Sequence, residues 1–139
     1  MNLKLDHINM SVKNLDESVE WYGKIFGMEI VEHGVDFDGT RWAIVARNDS
    51  MICMNEYRER RRITLAEREQ IYHINHFGIR ITDEDIWRQK VKNFNLKLYY
   101  GGINEYPHSR SWYVKDPSGH TIEVSYTKEE FLKFPALSS

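Results

Sequence analysis

Hydrophobic and polar residues alternate along several short stretches of the chain, and a stretch of this kind predicts a half-buried strand. Two of these stretches stand out, Leu5 to Val12 and Ile74 to Ile81. Each is followed by apolar residues at helical spacing, which indicates a helix directly after the strand. The pattern therefore predicts the same opening twice.

The two openings belong to halves that resemble each other at an offset of 69 to 70 residues, so that Trp42 aligns with Trp112. Each half is predicted as strand, helix and three further strands. A repeat this long indicates a duplicated unit, because solenoid repeats are shorter and need at least three copies. We expect an α+β fold in a single domain, residues 1–139, with module one at about 3–56, a charged linker at about 57–72, module two at about 73–126 and a tail at 127–139.

Capping residues and turns set the expected bounds of the other elements. The first helix is expected to begin at Asn14 or Asp16 and to end at Gly27, and the second to begin at Thr82 or Asp83. The tail is expected to pack as a short helix. Further strands are predicted near 28–32, 41–47, 51–56, 96–100, 111–115 and 120–126.

Three residues at equivalent points of the halves carry candidate chemistry: His7, His76 and Glu123. Side chains alternate between the two faces of a strand, so His7 lies on the face opposite Met10 and Val12, which should pack on the helix. The same parity places the other two on the corresponding face. Two imidazoles and one carboxylate can hold Fe(II) or a related divalent ion while leaving coordination positions open.

The second histidine has a competitor in His73, because the run 73–75 repeats the residue types of the run 7–9. Aligning these runs would put Gly78 where the first half has a core valine, and would shift the following helix by three residues. His76 is therefore preferred. A single histidine in a strand is more often structural than a ligand, and only the set of three favours a metal site.

Charge and composition exclude several classes of protein. The net charge of −2 and the pI of about 6.3 give no overall field for nucleic acid or anionic lipid. The basic run from Arg58 to Arg62 is interrupted by Glu59, which is typical of a solvated linker helix. No apolar run approaches the ~20 residues of a membrane span, and the pattern of the opening residues does not predict a signal peptide. With a single cysteine, Cys53, we expect a cytoplasmic protein without an internal disulfide.

Two motifs resemble those of a known family. The first is His7-Ile8 followed by Trp21-Tyr22 and Phe26-Gly27-Met28, which is similar to the glyoxalase-type opening. The second runs from Tyr113 to Glu123 and matches the extradiol signature Tyr-x-x-Asp-Pro-x-Gly-x-x-x-Glu. The chain thus resembles the vicinal oxygen chelate superfamily, which includes glyoxalase I, type I extradiol dioxygenases, fosfomycin-resistance enzymes and bleomycin-binding proteins.

The resemblance implies two βαβββ modules that form a cup-shaped, eight-stranded mixed sheet with the helices outside. It assigns His7, His76 and Glu123 to the metal, and glyoxalase I adds a carboxylate from the last strand of module one. Glu56 is the candidate for that fourth ligand, although strict repeat alignment of Glu123 falls on Met54. The expected ion is Fe(II), with Mn(II), Ni(II) or Zn(II) as alternatives.

The implied chemistry is that of an enzyme acting on a small molecule. Tyr113 is expected to contact substrate oxygen, and His108 is a candidate acid/base group from a loop shorter than the signature requires. The favoured reaction is extradiol cleavage of a catechol-type substrate by a dioxygenase. The alternatives are an isomerase, lyase or thiol transferase of the glyoxalase or fosfomycin-resistance type, and a non-catalytic binder of flat aromatic ligands. A homodimer without nucleic-acid or membrane partners is expected, with Arg41, Tyr99, Tyr100 and Arg110 among the residues that would read the substrate.

Overall fold

The computed structural model describes residues 1–128, and the predicted tail helix lies largely outside this range. The described chain divides into two compact units between Arg62 and Ile63, inside the predicted linker. Each unit is a βαβββ module, as the sequence predicted. The elements in chain order are β1 (Ile8–Val12), α1 (Leu15–Phe26), β2 (Glu29–Val35), β3 (Arg41–Arg47), β4 (Ser50–Glu56), α2 (Leu65–Arg68), β5 (Phe77–Ile81), α3 (Glu84–Asn93), β6 (Tyr99–Glu105), β7 (Ser109–Lys115) and β8 (Thr121–Thr127).

Each unit contains one four-stranded mixed sheet with the same topology. The strand order is β1-β4-β3-β2 in the first unit and β5-β8-β7-β6 in the second. In both, the first strand is parallel to the last one, and the remaining neighbours are antiparallel. Parallel neighbours need a crossover connection, and the helix of each module provides the start of it.

Side-chain caps fix where the two long helices begin. The Asn14 side chain accepts a hydrogen bond from the Glu17 backbone N–H at 2.9 Å, and Asp83 accepts one from Ile86 at 3.0 Å. These bonds satisfy N–H groups that have no partner inside the helix. The first helix ends as predicted at Gly27, whose φ of 67° is one that glycine adopts without strain.

In the first unit, α1 packs on one face of the sheet. Met10 and Val12 of β1 are 6% and 1% exposed, and Val45, Met54 and the helix residue Tyr22 are fully buried. The alternation in β1 therefore has the predicted sense, with the apolar side chains on the helix. The opposite face, which we call the helix-distal face of the unit, carries the intervening residues.

The second unit buries a different core under α3. Trp87 of the helix and Trp112 of β7 meet edge to face with ring centroids 6.5 Å apart. Ile122 and Val124 of β8 are completely buried beside them. The helix-distal face of this sheet carries the alternate residues of β7 and β8, among them Tyr113 and Glu123.

The structure corrects the alignment of the tryptophans. Trp112 lies 69 positions after Ala43, and both side chains lie on the helix side of their sheets. Trp112 is paired with Val124, and Ala43 is paired with the equivalent residue of β4, Met54. Trp42 lies one position earlier, on the helix-distal face. Its ring is so close to Gly34 that a Cβ there would meet it at 2.9 Å. An offset of 70 placed the two tryptophans together, and one residue in a strand reverses the face.

Candidate metal and substrate site

Tyr113 and Glu123 form the centre of the candidate site, on the helix-distal face of the second unit. They lie directly opposite each other in the antiparallel pair β7–β8. The Tyr113 hydroxyl donates a short hydrogen bond to the Glu123 carboxylate. Tyr113 is 8% exposed, and its burial, together with the bond to Glu123, raises its pKa well above the ordinary tyrosine value. The phenol therefore stays protonated at neutral pH.

His76 lies at the same place, just before β5. Its Nε2 is 3.5 Å from Oε1 of Glu123, and its ring meets Tyr113 edge to face at 5.5 Å. The side chain is 40% exposed. His73, the competitor, instead shares a hydrogen bond of 2.7 Å with the carbonyl oxygen of Ile71. The contact with Glu123 is thus made by His76, whose metal role stays a prediction.

Two further tyrosines contact this centre. The sequence did not predict that they would lie there together. The Tyr106 hydroxyl lies 3.0 Å from that of Tyr113, and the Tyr100 ring meets the Tyr113 ring edge to face at 5.0 Å. Tyr100 was predicted only as one of several residues that read the substrate. The sequence pattern could not predict the position of Tyr106, because that residue follows β6, whose register is irregular.

His7 belongs to the first unit, where it precedes β1 and is 43% exposed. Its Nδ1 lies 2.7 Å from the Asp6 carboxylate. A carboxylate on one ring nitrogen is the arrangement that orients a histidine whose other nitrogen binds a metal. The metal role of His7 stays a prediction.

The first unit has no carboxylate at the position equivalent to Glu123. In the second unit Glu123 lies opposite Gly78. The equivalent pair in the first unit is Cys53 opposite Asn9. The repeat alignment to Met54 was therefore wrong by one residue. Burial, with the nearby carboxylates of Asp6 and Glu32, raises the pKa of the Cys53 thiol, so it is not poised as a thiolate ligand.

Glu56 lies on the helix side of β4, in line with the buried Met54, and not on the face of Cys53. Its carboxylate accepts a hydrogen bond from the Leu15 backbone N–H at 2.8 Å, and Arg58 is 3.3 Å away. The hydrogen bond from Leu15 holds the pKa of Glu56 below its usual range. These contacts account for the carboxylate as a cap of α1, and we leave it outside the proposed ligand set.

Both arginines proposed to read the substrate lie on the helix side. Arg41 donates two hydrogen bonds to Asp16 in the first turn of α1. Arg110 makes a short bond to Glu84 in the first turn of α3 and a second bond, of 2.7 Å, to Glu105. The sequence left the directions of these two arginines open, and in the structure each connects its sheet to the start of its helix.

His108 lies in the turn between β6 and β7. Its backbone carbonyl accepts a hydrogen bond of 3.0 Å from the Lys128 N–H. Four residues of β7 separate it from Tyr113, whose hydroxyl is instead contacted by Tyr106. The acid/base role of His108 stays a prediction.

His76 and Glu123 fit part of a metal site. Their nitrogen and oxygen donors are 3.5 Å apart and belong to the types that divalent transition metals prefer. Taken one unit at a time, residues 1–128 contain no group of three or more His, Cys, Asp or Glu side chains that could hold a metal ion.

The model of one protein family matches residues 4–124, nearly the whole chain: the Glyoxalase/Bleomycin resistance protein/Dioxygenase superfamily. The chain belongs to this superfamily. The resemblance inferred from the two motifs is thereby confirmed. Among the helices of residues 1–128, none combines the length and apolar character needed to cross a membrane.

Two enzymes are similar in sequence. The trivalent organoarsenical cleaving enzyme of Bacillus sp. (strain MD1) is 26% identical over 134 residues, which cover 91% of this chain and 74% of that protein. The metallothiol transferase FosB of Staphylococcus epidermidis is 25% identical over 122 residues, covering 86% of this chain and 81% of FosB.

Solved structures show the same fold. A glyoxylase/bleomycin resistance protein/dioxygenase domain from Frankia sp. EAN1pec matches with a TM-score of 0.75 at 16% identity, covering 93% of this chain and 95% of that one. A fosfomycin resistance protein, FosX, from Listeria monocytogenes in complex with Mn(II) matches with a TM-score of 0.70 at 22% identity, covering 94% and 97%.

Proposed function

We propose that this protein is a metal-dependent enzyme that acts on a small molecule with two neighbouring oxygen atoms. The observation that carries the proposal is the cluster of His76, Tyr113 and Glu123 on the helix-distal face of the second unit. Two potential ligands and a neutral hydrogen-bond donor meet there. A purely structural face has no need of this combination.

His7, His76 and Glu123 would hold the divalent ion. When bound, the ion supplies Lewis-acid stabilisation of negative charge on substrate oxygen. Tyr113 carries a proton that it now donates to Glu123, and a phenol in this position can donate a hydrogen bond to an oxyanion. Tyr106 holds the Tyr113 hydroxyl from the other side and so limits its rotation.

The first test is metal content. Protein reconstituted with Fe(II) or Mn(II) is expected to contain about one ion per chain, and Glu123→Ala to contain much less because one of three ligands is gone. Elemental analysis after desalting measures this. Glu56→Ala is the matched control, since it removes a carboxylate that caps α1 and should keep the metal. Equal metal content in the wild type and Glu123→Ala would reject the ligand set.

For the reaction itself, we favour a lyase or thiol transferase type. Both similar enzymes carry names of this kind, a cleaving enzyme and a metallothiol transferase, and the likeness extends over most of the chain. A three-ligand set leaves positions for substrate in either case. Since Glu56 caps a helix, a four-ligand set of the glyoxalase I type has less support.

Extradiol ring cleavage is the second candidate. It is favoured by the contact between Tyr113 and Glu123, the two ends of the extradiol-like motif. It is also favoured because Lys128, the cation that follows β8, binds Glu105 and is not available to clamp a phosphonate. Fe(II) is the ion that this reaction would use.

One pair of assays separates the candidates. Protein reconstituted with Mn(II) or Ni(II) is given fosfomycin with a thiol, or a hemithioacetal, and substrate consumption is followed. Protein reconstituted anaerobically with Fe(II) is given a panel of catechols and then air, and the yellow ring-opened product is sought. We expect turnover in the first assay. Turnover of catechols alone would transfer the assignment to the dioxygenase, and a bound aromatic without metal would favour a binding protein.

The homodimer expected from the sequence stays a proposal, supported by the open edges that both four-stranded sheets have within their own units. Light scattering measures the mass. A value near the 16.6 kDa of the monomer at micromolar concentration would count against it.

A further inference from the structure

Strand β6 carries a large bulge beside Tyr113. Tyr99 lies opposite Tyr113, and the next paired residue of β6 is Asn104, which lies opposite Ser111. Residues 100–103 therefore face a single residue of β7. In the first unit the corresponding edge strand, β2, has a smaller irregularity, a single extra residue between Ile30 and Glu32. Bulges of this kind often redirect side chains next to a functional site.

The bulge is built from backbone that ordinary residues avoid. Tyr100, Gly101 and Gly102 have φ values of 56°, 84° and 99°. A Cβ added at either glycine would meet nothing within 4 Å, so glycine serves the backbone conformation and not a close approach. Tyr100 is not a glycine and adopts the same left-handed region at an energetic cost. Strain of this kind tends to accumulate at ligand-binding sites.

The strained conformation gives Tyr100 two properties together. Its ring meets the Tyr113 ring edge to face at 5.0 Å, yet the residue is 63% exposed. Ile103 and Tyr106 of the same segment are 42% and 37% exposed. Apolar and aromatic surface is therefore presented to solvent beside the hydrogen-bonding cluster of the proposed site.

We infer that Tyr100 is a specificity-determining residue. Its ring packs against an aromatic or flat apolar group of the substrate, while the substrate's oxygen atoms bind at the proposed metal position beside Glu123 and at the Tyr113 hydroxyl. This inference rests on the proposed function and adds the substrate class to it. An exposed aromatic ring held by strained backbone is pre-organised, so little ordering is needed when a second ring packs on it.

A pair of hydroxamates provides matched probes. Benzohydroxamate and acetohydroxamate share the same pair of neighbouring oxygen atoms, and only the first carries an aromatic ring. Calorimetry with Mn(II)-reconstituted protein measures the affinity of each. Saturation-transfer NMR on metal-free protein measures contact with the aryl protons independently of any ion. The wild type is expected to prefer benzohydroxamate about threefold to tenfold, the range of one aromatic contact.

Tyr100→Asn is the main variant, because asparagine tolerates the left-handed conformation. We expect the preference for benzohydroxamate to fall to near one and the aryl saturation transfer to be lost, while acetohydroxamate affinity is unchanged. Tyr100→Gly is a second variant with free access to φ of 56°, for use if the first folds poorly by circular dichroism. Tyr72→Asn, at a fully exposed tyrosine of the same unit, should behave as the wild type.

The outcomes separate the inference from the proposed function. Weak binding of both hydroxamates to Mn(II)-reconstituted protein, with the aryl preference still present in the metal-free NMR, would reject the metal site and keep the aromatic subsite. No aryl preference in the wild type, or a preference that survives in Tyr100→Asn and Tyr100→Gly, would overturn the inference. A preference lost equally in Tyr72→Asn would also overturn it, since the loss would not depend on the bulge.

Discussion

The two modules have the same strand order and nearly the same strand register, yet they fill their cores differently. Ser18 and Ala43 in the first module occupy the positions that Trp87 and Trp112 occupy 69 residues later in the second. Tyr22, which is fully buried in α1, fills much of the space under the first helix. One backbone plan therefore tolerates two distributions of volume, provided that the interior is filled.

The helix-distal faces differ even more. The second module has Tyr113 opposite Glu123, and the first has Ile44 opposite Cys53 at the same two positions. A hydrogen-bonded pair with a carboxylate is replaced by an apolar residue and a thiol. We conclude that the duplicated plan keeps its framework in both copies, whereas its candidate chemistry is concentrated in the second.

The comparison is sharpest at the tryptophans, where we expect the largest effect on stability. Trp112→Ala should lower the free energy of unfolding by about 3–5 kcal/mol, because a large buried side chain is removed and leaves a cavity. Urea unfolding followed by circular dichroism measures it. Ser18→Ala, at the first-module position that corresponds to Trp87, is the comparison variant.

Ser18 is fully buried, and within residues 1–128 its hydroxyl has no hydrogen-bond partner. Removing that hydroxyl should therefore leave stability unchanged or slightly increased. Comparable losses in Ser18→Ala and Trp112→Ala would show that the two cores are not filled in the way the structure indicates.

An intermediate effect is expected at Glu56, the cap that only the first module has in this form. Glu56→Ala should cost about 1–2 kcal/mol at pH 7, because the Leu15 N–H loses its charged acceptor. The folded state lowers the pKa of Glu56. Its contribution is therefore present above the ordinary glutamate pKa and is lost as the pH falls through the lower, folded value.

Unfolding curves from pH 7 down to pH 3 should show the difference between wild type and Glu56→Ala becoming smaller as the solution becomes acidic. Glu59→Ala, at an exposed glutamate of the linker, is the control and should differ little from wild type throughout. A Glu56 difference that is constant over this range would contradict the helix-cap role of the ionised carboxylate.

The smallest effect concerns the feature that both modules share. Arg41 and Arg110 are 69 positions apart, and each connects the third strand of its module to an acidic residue in the first turn of the helix. Such exposed or partly exposed ion pairs contribute little. Arg41→Ala and Arg110→Ala should each lower the melting temperature by only a few degrees.

Arg110→Ala is expected to have the larger effect of the two, because Arg110 is less exposed, 29% against 40%. Its second carboxylate partner, Glu105, is also closer, at 2.7 Å, than Glu56 is to Arg41, at 3.7 Å. Added salt should reduce both differences by screening the charges. Thermal melts at low and high salt test this, and a larger loss in Arg41→Ala would reverse the ranking.

Local patterns were sufficient for much of the framework. Alternation, helix caps at Asn14 and Asp83, and the stop at Gly27 depend on contacts within a few residues. The pairing of Tyr113 with Glu123 was also accessible, because a short turn between two strands fixes their register. These features could be read from the chain because their causes are close in sequence.

Other features were decided by tertiary structure. The face of Glu56 depends on a one-residue difference in register, which the 69-residue repeat conceals. The direction of Arg41 depends on an acidic partner 25 residues away. Residue propensities do not predict a tyrosine in the left-handed backbone region. The packing of Tyr100 against Tyr113 is therefore evident only from the bulge in the structure.

The sequence alone thus determined the duplicated modules, their order of elements and the candidate residues His7, His76 and Glu123. The structure decided which side chains meet: His76 with Glu123, Tyr106 and Tyr100 with Tyr113, and Glu56 with the start of α1. The physical reason is the range of the forces involved. Patterning and capping act between near neighbours in the chain, whereas strand register, bulges and ion pairs depend on residues that only folding brings together.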